Sequence, residues 1–243
     1  MRILLTIAYL GTNYHGWQVQ PNGITVQKIM QDALESVYKV RPNLTGCSRT
    51  DAGVHANEFC CHYDVDSYIT EKGIVCALNT KLPRDVRVIK CKYVDDDFHA
   101  RYSALGKEYV YRIYNSPTSN PFESDRSLHV TKQLDIEKMN RFAKGLCGTN
   151  DFIAFSSSGR TVEDTVRTID YCKVDKCENI VTITVAANGF LYNMVRIIVG
   201  TLLEVSDGKI PVDDAYNIIS SKDRNKAGPT APAHGLFLNK VFY

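Results

Sequence analysis

Residues 95–115 read DDDFHARYSALGKEYVYRIYN. The first part follows neither a helical nor a strand period. The second alternates cleanly, with Tyr109, Tyr111 and Ile113 on one parity and Val110, Arg112 and Tyr114 on the other, as a β-strand does. A strand that starts afresh after an irregular acidic stretch marks a joint, so the expected domains are residues 1–100 and 101–243. Upstream of the joint, Ile3, Leu5, Ile7 and Tyr9 alternate in a strand that ends at Gly11. After Thr25, an expected cap, Val26, Ile29, Met30, Ala33, Leu34 and Val37 fall on one helical face. A strand NEFCCHYDV (57–65), a helix-like ITEKGIVCALNTKL (69–82) halted before Pro83 and a strand VRVIKCKYV (86–94) complete a β-α-β-β-α-β order. Downstream, EYVYRIYN is followed by a helix around Ile136–Leu146 capped at Asp135, and then by a hairpin of TVRTIDYCKV and NIVTITVAA. An apolar helix from about Phe190 to Val205, a short helix near Val212–Ser221 and a last strand GLFLNKVFY close a second copy of the order. The expected fold class is α+β: two ferredoxin-like halves with antiparallel sheets meeting around a central cleft, a natural place for a long substrate.

Composition agrees with a packed globular protein. Of 243 residues, 44% are hydrophobic, 23% charged and 10% aromatic, which excludes fibrous and disordered classes. Lys and Arg number 29 against 27 Asp and Glu, a net charge of +2 with no basic tail or acidic block. That balance neither demands nor excludes a nucleic-acid partner, because a basic cleft is compatible with acidic residues on the far side. The eight cysteines show no pair at the two-residue gap of zinc sites. His15, His55, His62 and His99 have no helical i, i+4 partner, so no metal is expected. The opening MRILLTIAYL alternates like a strand and lacks the apolar core and cleavage site of a signal peptide, and no uncharged apolar run reaches membrane-spanning length. A cytoplasmic protein with reduced thiols is expected, most of them acting as small buried hydrophobes.

Three segments hold the candidate chemistry. GCSRTDAGVHA, residues 46–56, has no amphipathic period and sets an Arg–Thr–Asp triplet between glycines. Asp51 there is either a turn residue that caps local N–H groups or a nucleophile or base, since a carboxylate is the usual partner of an electrophilic sugar carbon. Arg196 lies in LYNMVRIIVGTLLEV, whose helical faces are all largely apolar. A charge in such a place needs an anionic partner. A structural salt bridge and a pairing with Asp51, which would keep that carboxylate ionised, are compatible readings. In KEYVYRIY, Tyr109 and Tyr111 share a face with Lys107; aromatics there are either core or a plane on which a base stacks. Small basic groups, Arg84/Arg87/Lys90/Lys92, Arg101/Lys107/Arg112 and Lys222/Arg224/Lys226, are either solvated surface or the lining of a groove.

SRTDAGVHA, FHARYSA, the KEYVY strand, FLYNMVRIIVG, the opening IAYLGTNYHGWQVQ and the closing APAHGLFL stand in an order and spacing that resemble the pseudouridine synthases of the tRNA pseudouridine synthase A type. The resemblance implies an isomerase that converts uridine to pseudouridine within RNA without a cofactor. It makes Asp51 the essential catalytic residue, with Tyr109 stacking on the target base and assisting proton transfer, and Arg196 pairing with the aspartate. Arg49 would brace the place vacated by a flipped nucleotide, and Arg101 and Lys107 would bind RNA. Members resemble one another in working as homodimers on tRNA, usually at uridines 38 to 40 of the anticodon stem-loop. Ser48 departs from the glycine common in bacterial members. A carboxylate-dependent hydrolase would need a second catalytic acid, and Asp95–Asp97 read better as a solvated turn.

Overall fold

In the computed structural model, which describes residues 1–159 and 163–243, the alternation of the first ten residues becomes β1 (Arg2–Tyr9). Its odd residues, Ile3, Leu5, Ile7 and Tyr9, are all buried. Thr25 caps α1 (Val26–Tyr38) by accepting from the Lys28 N–H at 3.4 Å, and Val26, Met30, Ala33 and Leu34 form its buried stripe. The short β2 (Thr45–Gly46) precedes β3 (His55–Asp64). Thr70 caps α2 (Glu71–Asn79) through the Gly73 N–H, and β4 (Val86–Val94) follows. β1 pairs antiparallel with β3 and with β4, and β2 antiparallel with β3, which gives the order β4-β1-β3-β2.

The second half opens with β5 (Gly106–Asn115) and the short β6 (Leu128–Val130), which runs parallel to it. Asp135 caps α3 (Ile136–Lys144) through the Lys138 N–H at 3.1 Å. β7 (Gly148–Asp151), β8 (Val166–Cys177) and β9 (Ile180–Ala187) form an antiparallel run with β5, in the order β6-β5-β9-β8-β7. Then come α4 (Met194–Ser206), α5 (Ala215–Ser221) and the last strand β10 (Leu236–Phe242), which lies parallel to β3 through Phe237 and Leu238. The chain is therefore α+β, with antiparallel pairing dominant and five α-helices among the described residues. It divides into two units, Met1–Leu105 with Phe237–Tyr243, and Gly106–Leu236.

The start of α4 differs from expectation by a full turn. α4 begins at Met194, not near Phe190, because Asn193 takes φ 61°, a left-handed conformation that an L-residue helix does not contain. Among the cysteines, Cys47, Cys60, Cys61, Cys91 and Cys172 are buried, and all eight are free thiols. Burial pushes the Cys91 thiol up to about 12, so it packs as a neutral apolar group.

His62 on β3 is 6% exposed, and its Nδ1 accepts from the Ala100 N–H at 3.1 Å. Burial, helped by Arg2 and His99 and opposed by Asp64, pushes its pKa down to about 4. The unfolded chain protonates near pH 6.5, so this contribution to stability is complete above that pH and is lost as the pH falls toward 4. Wild type should therefore lose on the order of 2–3 kcal/mol more than His62→Gln between pH 7 and 4.5 in urea titrations. Parallel losses in the two proteins would exclude His62 as the group responsible.

Candidate active site

Asp51 stands in the loop between β2 and β3, half-buried. The segment that follows β1 grips the backbone of this loop. The Trp17 N–H donates to the Thr50 carbonyl (3.1 Å), the Gly53 N–H to the Tyr14 carbonyl (3.3 Å), and the Val54 N–H closes a turn onto the Asp51 carbonyl (3.2 Å). Side chains add to the grip: Tyr9 Oη and Thr50 Oγ1 share a buried hydrogen bond of 2.9 Å, and the Gly11 N–H donates to His55 Nδ1 at 2.9 Å. Trp17, 3% exposed, stacks on Phe59 of β3 with ring centroids 4.1 Å apart, which anchors the gripping segment to the sheet. The polar loop is thus held by both main-chain and side-chain contacts. Arg49 is exposed on the same loop.

Tyr109 and Arg196 belong to the second unit. The parity expected for β5 is observed, with Tyr109, Tyr111 and Ile113 buried and Lys107 half-buried beside Ala187 of β9. Phe190 meets the Tyr109 ring edge-on at 5.0 Å, which sets the plane of the phenol. Arg196, half-buried in the first turn of α4, donates from Nη1 to Asn193 Oδ1 (2.8 Å) and from Nε to the Ala231 carbonyl (2.7 Å). The left-handed turn at Asn193 serves this arrangement, because it returns the amide toward the helix it precedes, and Asn193 Nδ2 in turn donates to Ser157 Oγ at 3.0 Å. The Tyr111 hydroxyl donates to the Pro232 carbonyl at 2.8 Å. Burial raises the pKa of that phenol, and the charge of Arg196 works against the shift.

Arg101 is exposed on the turn after β4. His99 Nδ1 accepts from the Arg101 and Tyr102 N–H groups, and the guanidinium lies 5.7 Å from the centre of the Tyr102 ring. Several other basic residues are engaged within the protein: half-buried Arg87 donates to the Leu82 and Val86 carbonyls, half-buried Arg112 pairs with Glu123 at 3.2 Å, and exposed Lys222 pairs with Asp151 at 2.9 Å. Among the described residues, no group of three or more His, Cys, Asp or Glu is placed to hold a metal ion. No helix there is long and apolar enough to cross a membrane.

The family model described as tRNA pseudouridine synthase matches residues 5–103 and 142–243. The chain belongs to that family. Curated relatives named tRNA pseudouridine synthase A are 46% identical to it: one from Thermoanaerobacter sp. (strain X514) over 241 residues, covering 99% of each chain, and one from Ruminiclostridium cellulolyticum over 243, covering 100% and 99%. A relative from Clostridium perfringens, named tRNA pseudouridine synthase A 2, is 46% identical over 241 residues, covering 99% of each chain. Within this tRNA pseudouridine synthase chain, Arg49, Asp51, Arg101 and Arg196 lie inside the matched segments, and Lys107 and Tyr109 between them. Motif reading missed the grip of Tyr9, Gly11, Tyr14 and Trp17 on the Asp51 loop and the hold of Asn193 and Ala231 on Arg196. These residues lie within the blocks IAYLGTNYHGWQVQ, FLYNMVRIIVG and APAHGLFL that carry the resemblance, which mark their positions without showing their contacts.

Proposed function

We propose that this chain is a cytoplasmic tRNA pseudouridine synthase that isomerises uridines 38 to 40 of the anticodon stem-loop, works as a homodimer and uses Asp51 as its essential residue. The observation that carries the reading is the Asp51 loop: a carboxylate in an Arg–Thr–Asp triplet, gripped at Thr50, Gly53 and Val54, inside a segment matched by the family model. In the reaction the bond from uracil N1 to the sugar C1′ breaks with its electron pair leaving on the base. The ring turns, C5 bonds to C1′, and the proton on C5 departs. The charge that develops at C1′ is positive, as in glycoside chemistry, and a fixed carboxylate is the group that meets it. Arg196 holds negative charge at the site in place, and Arg49 braces the space left when the nucleotide leaves the stack.

The test is to incubate purified protein, without added metal or nucleotide, with unmodified tRNA transcripts and ribosomal RNA fragments, and to map pseudouridine by carbodiimide primer stops. Stops at positions 38 to 40 are expected. Stops confined to ribosomal RNA would move the target, and binding without any stops would reject catalysis.

Tyr109 divides into a ring that stacks and a hydroxyl that helps move the C5 proton. Tyr109→Phe should keep KM for tRNA and lower kcat by about 10²-fold, the usual worth of a positioned acid or base. An unchanged kcat would restrict Tyr109 to stacking.

A further inference from the structure

Arg224, one of the basic residues grouped above with Lys222 and Lys226, directs its guanidinium into its own loop. Nη1 donates to the Ala227 carbonyl (3.2 Å) and the Gly228 carbonyl (2.9 Å), and Nη2 to Thr230 Oγ1 (3.3 Å). Loss of water around it lowers its pKa, as expected of a cation withdrawn from solvent. The loop gathered in this way lies against α4. A Cβ on Gly200 would overlap the Pro229 carbonyl oxygen, and one on Gly228 would come within 2.6 Å of the Gly200 backbone, so two glycines permit backbone-to-backbone approach. Thr201, fully buried, fastens the contact: Oγ1 donates to the Ile197 carbonyl (2.8 Å) and accepts from the Gly228 N–H (2.9 Å). The loop then reaches Arg196. The Ala231 N–H donates to the Arg196 carbonyl (3.0 Å), and the Ala231 carbonyl accepts from Arg196 Nε (2.7 Å).

We propose that Arg224 is a positioning residue for Arg196: its planar fork gathers residues 227–230 onto Thr201 and Gly200, and so sets the Ala231 carbonyl that orients the Arg196 guanidinium. The inference rests on the reading of Arg196 as a group that acts in the reaction. A lysine keeps the charge but lacks the fork, so it would not gather three acceptors in this geometry.

Arg224→Lys and, independently, Thr201→Val, which removes the Gly228 acceptor without touching any charge, test this with tRNA as substrate. Both should lower kcat by about tenfold or more, with KM and tRNA affinity within about twofold of wild type, since small misplacement of a reacting group is felt in the rate. The double variant Arg196→Ala/Arg224→Lys should be no slower than Arg196→Ala alone, the signature of two residues acting through one group. Were Arg224 a phosphate contact, Arg224→Ala would keep kcat, weaken binding and reduce the slope of log affinity against log salt by about 0.7–0.9. That result overturns the proposal. So does wild-type kcat in both Arg224→Lys and Thr201→Val when Arg196→Ala is slow. Wild-type kcat in Arg196→Ala itself would instead overturn the reading of Arg196. Thermal unfolding of each variant separates misfolding from slow turnover, and Thr201→Val decides the matter if Arg224→Lys does not fold.

Discussion

Asp51→Asn should turn over tRNA at least about four orders of magnitude more slowly than wild type, the scale on which removal of a covalent or charge-stabilising catalytic group is felt. The substitution keeps the shape of the side chain and removes its charge. Three of the contacts that hold the loop are made by main-chain groups, from Trp17 to Thr50, from Gly53 to Tyr14 and from Val54 to Asp51, and a side-chain exchange leaves them in place. Folding should therefore be intact, with a melting temperature within a few degrees of wild type, and affinity for tRNA should change by less than about threefold because phosphate contacts dominate it. On the proposed role of Asp51, Asp51→Ala should match Asp51→Asn in rate, because both remove the charge. Single-turnover assays with a transcript labelled at the target uridine measure the step directly. If Asp51→Asn reacts within tenfold of wild type, the carboxylate is a solvated turn residue and the centre of the reaction lies elsewhere.

The strands were legible because each half-buried strand repeats every two residues. β4 matches its expected bounds, and the odd residues of β1 and of β5 from Tyr109 onward are buried as their alternation requires. Caps at Thr25 and Asp135 were legible for a related reason, a short polar side chain placed just before an apolar helical stripe. The start of α4 was not. The run from Phe190 to Val205 is largely apolar on both sides of Asn193, and the break there is a backbone event that periodicity does not record. Strands of two to four residues, such as β2, β6 and β7, are shorter than any pattern that would reveal them. Of the candidate site residues, the side-chain types and positions are legible in the sequence and the contacts that hold them are not. Tyr9 reaches Thr50 across 41 positions and Arg196 reaches Ala231 across 35, and the partners in such contacts are often main-chain atoms, which carry no residue signature. The same limit applies to Arg224: its charge is plain in the sequence, and the direction of its donors is a property of the fold alone.

Gly16→Ala tests the grip on the Asp51 loop and should lower both stability and rate. Gly16 has φ +79°, which disfavours any L side chain by about 1–2 kcal/mol. Its added Cβ would also overlap the Thr50 carbonyl oxygen and stand 3.1 Å from the Asp51 carbonyl carbon. Both are main-chain atoms, so no side-chain rotation relieves the conflict, and the loop itself must move. The Thr50 side chain is tied to Tyr9 at 2.9 Å, so the neighbouring Asp51 is expected to take up part of the displacement. A shift of about 1 Å at a reacting group costs on the order of 10²-fold in rate. Gly208→Ala supplies the control, because Gly208 has φ +75° with nothing within 4 Å of the added Cβ. It shares the backbone strain and lacks the collision, so it should lose about 1–2 kcal/mol of stability with kcat unchanged. Gly16→Ala should lose at least as much stability and about 10²-fold in kcat, with KM for tRNA close to wild type. Equal kcat in the two variants would mean that the segment after β1 supports the fold without setting the position of Asp51.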